Sequence, residues 1–210
     1  FKVVLASTGL CPRLLEMVRL RALALAPSEK YVSIALDGMT LTKRLTYRKH
    51  SDTLAGYVDC GSALREGEVA DQGVMIVIRG LTLNWKQVIG YVVCRHNLSS
   101  SALGDIILNA VHAVTEAGLV VKVIVMDQES THGKWIREQG VTERHPYIEH
   151  NQDKIYVLPD PPHLIQNLRN NFLDKRVEFE IDGEPHTANW AHVKNLYNKD
   201  SEKVIRILIL

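Results

Sequence analysis

Hydrophobic and polar positions change their spacing several times along this 210-residue chain. Residues 14–26, LLEMVRLRALALA, have helical character between Pro12 and Pro27, which predicts a helix packed outside a main sheet. YVSIAL, residues 31–36, is a short β-rich apolar run that ends on Asp37-Gly38. Alternation on either side of Ser51-Asp52 predicts a hairpin, with residues 45–47 pairing with 54–58. Residues 74–81 and 87–94 are two further strands around Asn84-Trp85, so this part of the chain reads as a run of antiparallel strands.

The pattern then switches. Leu103, Ile106, Ile107, Ala110, Val111 and Val114 recur at helical spacing, with Ser100 or Ser101 as cap and Gly118 as stop. VVKVIVMD, residues 120–127, is a near-continuous apolar run of the kind buried on both faces of a sheet, and it too ends on an aspartate. A short helix over 131–139 closes at Gly140, KIYVLPD is another buried strand, and Asp160-Pro161-Pro162 opens a helix. Proline suits that first turn because its missing N–H would have no intrahelical partner there. From Lys175 the sequence is charged and less patterned, with a turn at Asp182-Gly183. Strand, antiparallel strands, helix, strand, helix, strand, helix is the element order of a ribonuclease H-like α/β fold, a mixed sheet flanked by helices.

Composition narrows the partners. The chain is 46% hydrophobic, enough for a sizeable core, and its 25 Lys+Arg against 24 Asp+Glu give +1, so any DNA contact must come from local patches. Lys43, Arg44, Arg48 and Lys49 make one such cluster, although clusters of this kind are commonly a solvated face. Cys11, Cys60 and Cys94 have neither zinc nor disulfide spacing, which favours a reducing compartment. No membrane-length apolar run or signal peptide gives meaning to the sequon Asn97-Leu98-Ser99, and no membrane role is expected. A start at Phe1 and a stop inside VIRILIL point to a piece of a longer protein.

Candidate chemistry follows from the strand ends. In open α/β sheets, sites gather beyond the carboxyl ends of strands near a change in strand order. Asp37 and Asp127 stand at such ends, and if their strands are parallel neighbours the carboxylates converge on one divalent cation. The alternative is that each aspartate is only a turn residue or a helix cap. His96, His112, His132, His145 and His163 lack metal-ligand spacing and receive no catalytic role; Trp85 and Trp135 read as packing residues. The polar residues 160–171, DPPHLIQNLRNN, exceed what a helix start requires.

Three ordered blocks now resemble a known family. LDGMTLTKRLTYRKHSDTLAGYVDCG, VIVMDQESTHGKW and DPPHLIQNLRNNFL are similar to the acidic block, the Asp-Gln block and the third block of the P-element-type transposases, whose animal relatives include proteins with a THAP DNA-binding domain. The resemblance implies a catalytic core that cuts and joins DNA at transposon ends and target, with Asp37 and Asp127 as catalytic metal ligands for Mg²⁺ or Mn²⁺ and a third acid beyond Leu210. It implies a nuclear protein that is a homo-oligomer at full length. It also implies an N-terminal helical segment over 1–29, an incomplete core over 30–173, and from 174 to 210 the beginning of an inserted, GTP-binding domain. Asp160, His163, Gln166, Asn167 and Asn170 are then nucleotide-binding or domain-junction candidates. Two departures stand out: Gly38 replaces the usual Glu, and Gln166 occupies a position where the family has lysine, removing a cation suited to phosphate. A domesticated binding module without chemistry, and a metal-dependent nuclease without strand transfer, are the alternative functions.

Overall fold

The computed structural model describes residues 8–49, 52–61, 66–96, 98–127 and 130–201. Ser51, Asn97, Gln128 and the apolar run 204–210, singled out above, lie outside them. The chain divides into two compact units, Phe1–Asp160 and Pro161–Leu210.

The first unit begins with β1 (Gly9–Leu10), α1 (Pro12–Ala24) and β2 (Tyr31–Thr40). Four short strands follow, β3 (Thr46–Arg48), β4 (Thr53–Ala55), β5 (Tyr57–Val58) and β6 (Glu66–Val69), then the long strands β7 (Gln72–Gly80) and β8 (Lys86–Cys94). The alternating part continues as α2 (Ser100–Glu116), β9 (Val120–Met126), α3 (Ser130–Glu138), β10 (Tyr147–His150) and β11 (Asp153–Pro159). Seven of these strands form one mixed sheet in the order β1-β8-β7-β2-β9-β11-β10. The β2–β9 and β9–β11 pairs are parallel, and the outer pairs are antiparallel.

Period-two alternation explains how this sheet builds a core. Val32, Ile34 and Leu36 share one face of β2 and are buried, opposite Ile78 and Ile76 across β7 and Ile124 across β9. Leu103, Ile107, Ala110, Val111 and Val114 of α2 join the same cluster, at about 1.5–3 kcal/mol for each fully buried large aliphatic side chain. Val18 and Ala22 bring α1 into it, and Trp135 brings in α3. Gly104 permits that last contact, since a Cβ there would stand 2.9 Å from Trp135 Nε1.

Several expectations need correcting. The first long strand does not stop at Leu36: it runs to Thr40, with Asp37 opposite Met75 and Gly38 opposite Val74, because β7 continues to pair with it. Asp37-Gly38 is therefore not a turn. The hairpin pairs Thr46–Arg48 with Thr53–Ala55; Gly56, at φ +114°, breaks the ladder, and Tyr57–Val58 pairs instead with β6. Ser99, not Ser100 or Ser101, caps α2 by accepting the Ala102 N–H at 3.1 Å. Strands β6 and β10 are too short and polar for the hydrophobic pattern to announce them. Among the described residues, no helix is long and apolar enough to cross a membrane.

The second unit contains α4 (Pro161–Asp174), β12 (Val177–Ile181), β13 (Glu184–Ala188) and α5 (Trp190–Ser201). Prolines fill the first turn of α4 as expected. Asp182 and Gly183, both at positive φ, turn β12 into β13. Phe172 and Trp190 meet edge to face, 6.1 Å between centroids.

Candidate active site at the parallel strand ends

The core sheet sets two aspartates at one level. After an irregularity at Val32/Ser33, β2 and β9 run in register as Ser33↔Val123, Ile34↔Ile124 and Ala35↔Val125. Asp37 lies two residues past Ala35, and Asp127 two past Val125. Alternation along β2 puts Asp37 on the face carrying Ala35, while Asp127 immediately follows the last residue of β9, on a neighbouring strand about 4.8 Å away. The face bearing Leu36 is packed into the core, so Asp37 lies on the opposite face and is exposed.

Asp127 is more enclosed, its side chain 16% exposed. Its Oδ1 touches Nδ1 of His132, a buried residue early in α3. This is the contact that sequence reasoning missed. The two residues are five apart, a separation that resembles no metal-ligand motif, and only the strand-to-helix reversal after β9 brings the ring back.

Asp160 follows the last residue of β11. Pro159 pairs with Met126, and the Asp160 N–H donates to the Met126 carbonyl at 2.8 Å, so its backbone stands beside the end of β9. Among the described residues, no three His, Cys, Asp or Glu side chains come together in a way that could hold a metal. The chemistry on offer is therefore a pair of carboxylates just past the point where the β2–β9 pairing ends. Hard oxygen ligands of this kind suit Mg²⁺ or Mn²⁺, with remaining positions open to water and phosphate oxygens.

The other predicted residues belong to α4 in the second unit. His163 is half-buried, whereas Gln166, Asn167 and Asn170 are exposed. Much of this polar run is engaged along its own helix. Asn171 Nδ2 donates to the Asn167 carbonyl at 2.9 Å, Arg169 donates to Asn170 Oδ1 at 3.0 Å, and Lys175 donates to Asn171 Oδ1 at 3.0 Å. The two i,i+4 contacts are of the spacing that stabilises a helix surface, which gives this part of the polar cluster a local role.

The remaining histidines and tryptophans behave as packing or surface residues. His112 pairs with Glu116 on the exposed edge of α2 at 3.3 Å, Trp135 is fully buried, and Trp85 lies under the Arg21 guanidinium. The basic cluster divides: Lys43 is paired with Asp71 at 3.2 Å, whereas Arg44 and Arg48 line a cavity.

Residues 6–140 match the family described as TNP-like, RNase H N-terminal domain. The Transposable element P transposase of Drosophila melanogaster is 25% identical to this chain over 150 residues, which cover 70% of the chain and 18% of that protein. The chain thus spans about a fifth of the length of this curated relative. The structure titled Drosophila P element transposase strand transfer complex superposes with a TM-score of 0.70 at 21% identity, over 97% of this chain and 41% of that one. The structural likeness carries the fold, a ribonuclease H-like mixed sheet.

Proposed function

Because the chain belongs to the TNP-like, RNase H N-terminal domain family, we propose that it supplies two metal-binding carboxylates to the catalytic core of a DNA transposase, for phosphodiester cleavage and strand transfer. One observation carries the reading: the parallel register Ala35↔Val125 two residues before Asp37 and Asp127. Unrelated aspartates have no reason to share one level on adjacent strands.

Asp37, exposed and held on a strand paired on both sides, offers its carboxylate to a cation on the substrate side. Asp127, held against His132, offers the second from a more enclosed position. A divalent cation bound there supplies Lewis acidity toward the scissile phosphate and lowers the pKa of an attacking water or DNA 3′-hydroxyl. The two strands contribute pre-organisation, fixing ligand direction before substrate arrives.

The test uses the complete transposase that contains this chain. Asp37→Asn and Asp127→Asn, nearly isosteric but poorer ligands, should each abolish Mg²⁺-dependent cleavage of transposon-end DNA while the circular dichroism spectrum is unchanged. Full cleavage by either variant refutes the assignment. Joined products in the same assay separate a transposase from a nuclease that only cuts.

A further inference from the structure

A cavity of about 500 Å³ lies where the β3–β4 hairpin meets β5 and β8. Its wall includes Arg44, Arg48, Thr46, Thr53, Tyr57 and Tyr91, a set rich in hydrogen-bond donors. Among the described residues neither arginine makes an ion pair, in contrast to Lys43 beside them, which is held by Asp71. The backbone of Arg44 is fixed from below by Gly56: a Cβ on that glycine would stand 2.1 Å from the Arg44 carbonyl oxygen. Asp59 also lines the cavity, but its oxygens accept from Thr8 Oγ1 at 2.6 Å and from the Gly61 N–H at 3.0 Å, which disperses its charge.

Position in the sheet ties this cavity to the aspartates. Asp37 pairs with Met75, and Met75 with Tyr91. Directly opposed residues of antiparallel strands point to the same face, so Tyr91 shares face and level with Asp37 two strands away, at about 10 Å. A strand of DNA with one phosphate at Asp37 and Asp127 would bring a neighbouring phosphate to this depth of the sheet.

We propose that the Arg44–Arg48 cavity seats a phosphodiester of the DNA strand being processed, close to the phosphate held at Asp37 and Asp127. This rests on the transposase reading. The guanidinium forks bind two phosphate oxygens, and the Thr46 hydroxyl adds a donor for the same group. A free nucleotide presents the same phosphate chemistry, so the experiment has to separate it from DNA.

The experiment titrates the isotopically labelled 210-residue chain with a short single-stranded oligonucleotide at low salt, followed by NMR at the Arg44 and Arg48 Nε–H signals and the Thr46 and Tyr91 amides. Those signals should shift with the oligonucleotide, shift much less with an oligonucleotide made neutral by methylphosphonates, and shift weakly with GTP. Replacing both arginines, Arg44→Gln with Arg48→Gln, should weaken binding about tenfold or more and lower the magnitude of the slope of log affinity against log salt by about 0.7, one single-strand phosphate contact. Lys43→Gln should change neither quantity. An unchanged slope in the double variant, equal response to the neutral oligonucleotide, shifts confined to other surfaces or no shift at all would each overturn the seat. A response to GTP alone would reassign the cavity to a nucleotide. None of these results bears on metal binding by Asp37 and Asp127, which is measured without DNA.

Discussion

His132 Nδ1 lies against Asp127 Oδ1, so α3 returns a buried imidazole to the end of the strand that precedes it. A carboxylate with this partner cannot swing freely between rotamers. The pair explains how a half-enclosed acid keeps one direction before any ligand arrives.

Removing the ring should therefore be felt in stability. His132→Ala removes this partner from the Asp127 carboxylate, whose side chain is largely enclosed, at an expected cost of about 1–3 kcal/mol. His132→Asn, whose side-chain amide reaches a similar position, should recover part of that loss. Urea unfolding of the three proteins gives the comparison, and equal midpoints for wild type and His132→Ala would show that the contact contributes nothing.

Gly90 makes a separate prediction about the sheet edge. A Cβ at this position of β8 would meet the Gly9 carbonyl oxygen at 2.3 Å and Leu10 Cα at 2.9 Å, both backbone atoms with no rotamer to change. Gly90→Ala should cost about 1–3 kcal/mol, as overpacking does, and should loosen β1 first. Faster amide exchange at Cys11, whose N–H donates to the Ile89 carbonyl at 2.9 Å, would report that loosening. An unaltered exchange rate and unfolding midpoint would contradict the packing described.

Asp71 links stability to pH. The His96 backbone N–H, 2.6 Å away, holds its carboxyl below the usual carboxylate range, with Lys43 adding to the effect. A folded-state value below the unfolded one, about 3.9, contributes stability that is present above the unfolded value and is lost as pH falls through the folded value. Asp71→Asn should thus be less stable than wild type at neutral pH, and the gap should close on acidification. Chemical unfolding across that range tests the sign; a gap that widens toward acid would reverse it.

Periodicity carried much of this architecture. Val120–Met126 and the Leu103-to-Val114 stripe were legible because near-continuous apolar runs and 3.6-residue spacing have few other solutions. What escaped depended on partners. Gly38 is a weak strand former, and continued pairing with β7, from Asp37↔Met75 to Thr40↔Gln72, keeps β2 extended to Thr40. Gly56 separates two ladders that alternation alone merges into one hairpin. That β2 and β9 are parallel neighbours could be anticipated from the element order, whereas the contact of His132 with Asp127 could not, since it joins a residue after β9 to one inside α3. Arg44 and Arg48 stood out in the sequence as part of a basic cluster, but the cavity they line did not, because its walls come from positions as distant as Thr46 and Tyr91.

The most direct measurement of the central claim is Mn²⁺ binding to the chain, followed by electron paramagnetic resonance in the absence of DNA. Wild type should bind Mn²⁺ saturably, and Asp37→Asn or Asp127→Asn should each weaken that binding roughly tenfold or more, the loss of one charged ligand interaction of about 1.5–3 kcal/mol. Mn²⁺ affinity that is unchanged in both variants would contradict a shared metal site at these two strand ends.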